Sequence, residues 1–249
     1  MKDSRGESIE LAPLEMFDAS AFQSAGEGDQ DVCAFVLALA TIYNDFKTIM
    51  LADNLLETQR PAGPSATTPE WGEYNGFRIY LVRVLAGLFN ELLRMICRNE
   101  PLLSDPGFRR AVKRVPKSSR ESWDAIVAAA LARPSESPVT KALLLARNKV
   151  SFHYDGRELL KGYRLRFGQG GPTAEPYVSR GATMLGTRFY FADAAAQAYL
   201  NRCLETEDSR KQFGPASPLM HQVNIALHEI VISFVESRGF AWRRVPTST

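Results

Sequence analysis

The sequence predicts an all-α protein, a helical bundle with a small extended or β insertion near residues 160–191. Apolar residues recur at alternating spacings of three and four over several long segments, and helix caps and first-turn prolines punctuate them. One stretch, Tyr163 to Phe191, instead alternates polar and apolar residues among Gly and Pro. A chain of 249 residues that is 45% hydrophobic can bury one sizeable core. Residues 29–249 are therefore expected to form a single domain behind an arm of residues 1–28, and no solenoid-length repeat is visible.

The elements follow in order. Residues 1–28 are polar and rich in Ser, Gly and Glu, which predicts a mobile arm. From Asp31 the pattern changes: Val32, Phe35, Leu39, Ile42, Phe46 and Ile49 mark one stripe of a long helix. TQRPAGPSATTPE, residues 58–70, predicts a loop, with Pro69 suited to open the next helix. That second helix carries Leu81, Leu85, Leu88, Leu92 and Met95 on one side, so the two are expected to pair antiparallel. Shorter helices are expected at 105–114 and 119–133.

Ser135, Ser137 and Pro138 offer caps and a first-turn proline for a further helix. Its stripe runs Val139, Leu143, Ala146, Val150 and His153, and Tyr154-Asp155-Gly156 is expected to end it. GYRLRF and GTRFYFA then predict two or three short strands or extended loops. Asp193 is placed as the cap of a helix reaching about Glu205, and a last helix spans 217–238 with Met220, Val223, Leu227, Ile230 and Phe234 inward. Gly239 is expected to close it as a C-cap glycine.

Composition limits function. A net charge of +2 does not adapt the whole surface to nucleic acid or an anionic membrane, so any electrostatic site is local. Cys33, Cys97 and Cys203 lie far apart without ligand-like spacing and are expected to be buried, reduced thiols of a cytoplasmic protein. The first residues lack a signal-peptide core, and the longest apolar run, VCAFVLALATIY, is shorter than a bilayer span, so no membrane association is expected. His221 and His228 share a helix face but sit two turns apart, too far to chelate one ion unaided. FGQGGP lacks the Lys-Ser/Thr of a phosphate loop. Neither a metal nor any other cofactor is expected.

Two features carry candidate chemistry. FRRAVKRVPKSSR, residues 108–120, presents Arg109, Arg110, Lys113, Arg114, Lys117 and Arg120 with no acid among them. Such a cluster suits RNA phosphates, which it binds with release of counterions, although a solvated basic face has the same composition. The second feature is ARNKVSFHYD. On a helical wheel His153 continues the apolar stripe and Arg147 flanks it, so a polar pair borders a packed seam. Spacing alone equally allows a core or capping histidine beside a surface arginine.

ARNKVSFHYD resembles the signature of the HEPN superfamily, in which an arginine and a polar residue are followed, after a short spacer, by a histidine. Arg147 and Asn148 supply its opening, and five residues separate Arg147 from His153. The RNK form looks most like the branch related to abortive-infection proteins. The resemblance implies a helical bundle that dimerises so that two motif helices face each other across a cleft. It further implies metal-independent cleavage of RNA, in stress response or phage defence, or, in members that have lost catalysis, a dimerisation or RNA-binding module. In the catalytic case His153 serves as general base or acid at the ribose 2′-hydroxyl or the leaving oxygen, Arg147 neutralises the phosphate, and Asn148 orients the histidine or the backbone. The implied partners are RNA, a second copy of the chain and a neutralising protein. Glu91 of the second helix is a candidate to line the same cleft. Some toxin members carry a tyrosine two residues after the histidine as a modification target. Here Tyr154 follows His153 directly and position 155 is Asp, so that regulation is not carried over.

Overall fold

A computed structural model describes residues 14–23, 26–63, 67–132, 141, 143–144, 155–168, 175–203 and 217–244. Among them the chain is all-α, with seven helices: α1 (Glu27–Thr58), α2 (Pro69–Arg98), α3 (Pro106–Arg114), α4 (Lys117–Leu131), α5 (Gly156–Phe167), α6 (Tyr190–Cys203) and α7 (Ser217–Ser237). The sheet is one antiparallel ribbon of two-residue strands, β1 (Glu15–Met16) and β2 (Arg243–Arg244).

The predicted stripes become the core, except that Ile42, Leu88 and Met95 are half-buried at its edge and Phe89 and Ile96 take the central places on α2. Val32, Phe35, Leu39, Phe46 and Ile49 of α1 are buried against Leu85, Phe89, Leu92 and Ile96 of α2 and Val223, Leu227, Ile230 and Phe234 of α7. Phe46 meets Phe89 edge-on at 4.6 Å while Glu57 meets Tyr74, so α1 and α2 run antiparallel. On the other flank Tyr43 lies 5.8 Å from the His228 ring and Asp29 binds Arg238, which makes α7 antiparallel to α1 as well. Phe108 of α3 stands between Phe35 and Trp123, at 5.3 and 5.7 Å, and Ser233 of α7 donates to the Ala111 carbonyl at 2.8 Å. Buried aromatic edges thus join α3 to α1 and α4, and a satisfied hydroxyl pins it to α7, on which α4 also packs. By length and composition the stretch Gly28–Thr58 of α1 is apolar enough to cross a bilayer. Asp45 and Lys47, which break up its apolar run, are exposed, and its inner stripe is spent on the bundle.

A second layer rests on α2. α5 packs on α6, and α6 on α2, through glycines. A Cβ at Gly162 would stand 2.1 Å from the Ala195 carbonyl oxygen, so α5 and α6 touch backbone to backbone. Gly72 and Gly76 of α2 clear seats for Tyr190 and Arg188, whose atoms lie 2.2 and 2.1 Å from where a Cβ would be. Arg188 then donates to Glu73 and to Asp193, both at 2.8 Å.

The structure corrects the reading of residues 155–191. GYRLRF is the second half of α5, not a strand. Asp155 starts a helix: its carboxylate accepts from the Arg157 and Glu158 amides at 3.0 and 3.4 Å, the geometry of an N-cap, while the helix expected to end there lies outside the described residues. Among the described residues the expected strand pairing reduces to one bridge, Ser179 to Arg188, and α6 begins at Tyr190, three residues before the predicted Asp193 cap. Short R-L-R alternation fits either period, and the cap and the Gly162 contact decide for the helix. Cys33 is buried and Cys203 half-buried, but Cys97 is exposed, against the expectation for all three.

The described part of the N-terminal segment is anchored. Phe17 packs on Trp242 at 5.0 Å and on Phe22 at 6.1 Å, and Phe22 reaches Phe234 at 5.5 Å. Arg238 grips Asp29 with two bonds of 2.5 and 2.9 Å, just before Gly239, whose φ of +86° closes α7 at a backbone geometry that glycine adopts without penalty.

Candidate functional site

Arg147, Asn148 and His153, with Tyr154, lie outside the described residues. Their described neighbours bound them closely: Leu143 is 1% exposed within the main core, and Asp155 caps α5. Glu91 lines a groove of about 300 Å³ between α1 and α2 with Asp45, Thr48 and Leu88, and sits 3.9 Å from Arg94.

The basic cluster divides by role. Asp105 accepts from the Gly107 and Phe108 amides at 2.7 and 3.0 Å, Pro106 occupies the first turn, and Phe108 and Ala111 turn inward. Helical geometry therefore sends Arg109, Arg110, Lys113 and Arg114 outward, and all four are exposed. Their side chains make no ion pair among the described residues. Arg120 is spent differently, donating to the Lys113 carbonyl at 3.2 Å, where it caps the last turn of α3. Lys117 pairs with Glu121 at 3.6 Å on open surface. The face free to take an anion is thus the outer side of α3.

A second polar centre joins α1 to α2. Tyr74 donates its hydroxyl to Glu57, and Arg78 lies 3.7 Å from the same carboxylate and 3.5 Å from the phenol oxygen. Burial, then the bond to Glu57, pushes Tyr74 up to about 12, so it stays a phenol and a donor. This centre borders a groove of about 470 Å³ lined by Leu55, Leu56 and Phe77. Asp53, one turn before Glu57, has its carboxyl held above the usual range by burial, with Glu57 adding to the effect and Arg78 opposing it. Desolvation here penalises the ionised form, a penalty absent below the ordinary value of 3.8 and felt as pH rises through the raised one. Asp53→Asn is accordingly expected to raise the urea midpoint at pH 7 and to leave it unchanged near pH 3.5. Equal shifts at both pH values would remove ionisation as the cause.

The remaining reactive groups are restrained. Burial raises the Cys203 thiol, against a lowering bond from Tyr199, and raises Tyr199 itself, so neither is poised as a nucleophile at neutral pH. His228 uses Nδ1 on the Asn224 carbonyl at 3.0 Å and holds Nε2 3.2 Å from Glu229, while His221 is exposed. Among the described residues no three His, Cys, Asp or Glu side chains gather as a metal site. The Arg188 seat on Gly76 is absent from the expectations above, although its signal, the G-x-x-x-G spacing of Gly72 and Gly76, is plain in WGEYNG.

No protein-family model, curated protein or solved structure matches the chain.

Proposed function

We propose that the protein is a HEPN-like bundle that cleaves RNA without a metal, with Arg147, Asn148 and His153 as its catalytic set and the outer face of α3 as a phosphate-binding surface. The observation that carries this reading is the Arg147-Asn148 and His153 pattern in a chain whose described residues are helical on both sides of it. The exposed cations of α3 support it, since an RNA enzyme needs an electrostatic foothold for its polyanionic substrate. On this reading two copies face each other across the motif, a separate protein neutralises the activity, and the setting is stress response or phage defence.

A non-catalytic RNA-binding or dimerisation module is the competing reading, and the burial of Leu143 beside the motif favours it to the extent that the segment serves the core. One assay separates them: RNA incubated with the purified protein in EDTA, with His153→Ala in parallel. Cutting that depends on His153 supports the enzyme. Intact RNA with retained binding supports the module.

The α3 face has its own test. Reversing Arg109, Arg110 and Arg114 to Glu is expected to weaken RNA binding across sequences and to flatten its salt dependence. The log-log slope should fall by about 0.7 to 0.9 for each phosphate no longer neutralised. An unchanged slope, measured by anisotropy over a salt series, would place the phosphates elsewhere.

A further inference from the structure

We infer that α5 and the start of α6 form a stacking platform for single-stranded RNA, a second nucleic-acid surface separate from α3. Only the choice of RNA over DNA rests on the function proposed above, because the surface argument concerns any single strand.

The platform has two ridges side by side. On α5, Tyr163 and Phe167 stand one turn apart with ring centroids separated by 4.9 Å. The ring row continues onto α6 without a break, from Tyr163 to Phe191 at 6.2 Å and from Phe191 to Phe189 at 6.0 Å. Phe189 ends the row 57% exposed, and Leu160, in line with Tyr163 and Phe167, is 48% exposed. Tyr163, Phe167 and Phe191 are half-buried between them, and an apolar patch left partly open in this way marks contact surface more often than packing. Next to this row on the helical wheel lie Arg157, Lys161 and Arg164, at spacings of four and three. Lys161 is held by Glu158 at 2.8 Å, whereas Arg157 and Arg164 are exposed and make no ion pair among the described residues.

A ring row beside a cation row matches the chemistry of an unpaired strand, which presents base faces on one side and phosphates on the other. Aromatic rings take bases of any identity by stacking, and arginines take the backbone. A duplex, with its bases already stacked on one another, has nothing to offer the rings. An anionic membrane surface is the competing occupant of any cationic, apolar face. It accounts less well for rings and cations segregated into parallel rows, since an interfacial helix carries its cations on the polar face opposite the apolar one. The Gly162 contact with the Ala195 carbonyl fixes α5 rigidly on α6, so the four rings keep their spacing without a ligand. Arg157 follows His153 by four positions, so the platform starts immediately downstream of the proposed catalytic set.

The test uses the full-length His153→Ala protein, so that binding is read without cleavage. Fluorescent oligouridylate is titrated by anisotropy, against oligothymidylate, duplex RNA and phosphatidylserine vesicles as competitors. Phe189→Ala and Arg164→Glu, both at exposed positions, are each expected to weaken oligouridylate binding about tenfold. Circular dichroism melts serve as the folding control, and Leu37→Ala, at an exposed position of α1, is expected to bind like the parent. Unchanged affinity in both variants would overturn the platform, as would duplex RNA or the vesicles competing as well as the single strand. Oligothymidylate outcompeting oligouridylate would overturn the assignment to RNA. A platform that binds while the wild-type protein cuts nothing leaves this inference standing and removes the proposed cleavage, so the two failures are distinguishable.

Discussion

His153→Ala is expected to lower metal-free RNA cleavage by about a hundred- to ten-thousand-fold, the usual worth of a positioned general acid or base. The size of the effect follows from the chemistry proposed for the site. A ribose hydroxyl is a poor nucleophile until its proton is removed as it attacks, and the departing oxygen needs a proton as it leaves. In a site without a metal, imidazole is the side chain whose ordinary pKa lies close enough to neutrality for both tasks. Arg147→Lys is expected to be nearly as damaging as Arg147→Ala, because a compact ammonium does not reproduce the two parallel donors that grip a phosphate. The measurements are initial rates on labelled RNA in EDTA, beside thermal midpoints. Wild-type rates in the His153→Ala protein would end the catalytic reading.

Gly162→Ala is expected to destabilise the protein by about 1–3 kcal/mol, the range for forcing an extra methyl into a packed contact. Helix propensity predicts the opposite sign, since alanine in mid-helix is favoured over glycine by roughly 1 kcal/mol. Geometry decides the sign. The new Cβ would meet the Ala195 carbonyl oxygen at 2.1 Å and its carbon at 3.0 Å, backbone atoms that cannot swing aside as a side-chain tip can. α5 has to slide or tilt away from α6, and the ring row from Tyr163 to Phe191 parts with it. In a chain of this size each kcal/mol lowers the melting midpoint by roughly 2–4 °C. A midpoint that rises on substitution would show that the helices are not in backbone contact.

What the sequence disclosed divides along physical lines. α1, α2 and α7 are long enough for many repeats of the three-four spacing, and their buried stripes fall on Val32 to Ile49, Leu81 to Leu92 and Val223 to Phe234. The outward α3 cations are equally legible, because Phe108 and Ala111 fix which side faces in. Short elements are not. R-L-R alternation within a single helical turn carries no periodic information, and Asp155-Gly156 reads as a helix end until its carboxylate is seen to cap the next amides. The ring row stays hidden for the same reason: Tyr163 and Phe167 become neighbours once their segment is a helix, while Phe189 and Phe191 join them through tertiary packing that no local pattern encodes. At Gly72 and Gly76 the spacing is visible, but what fills the two seats lies more than a hundred positions away.

The ribbon that pairs Met16 with Arg243 bears on how the chain folds. Its two strands are separated by nearly the whole sequence, so forming it early would close a very large loop for the sake of two residue pairs. Loop-closure entropy grows with the logarithm of the segment enclosed, and contacts this distant in sequence form only after others have shortened the effective path. The α1–α2 hairpin and the docking of α7 do that shortening, bringing Asp29 within reach of Arg238 and then Phe17 within reach of Trp242. The ribbon is therefore expected to form late, outside the folding nucleus. Weakening it by Trp242→Ala should speed unfolding and leave the refolding rate almost unchanged, the kinetic signature of an interaction made after the barrier is crossed.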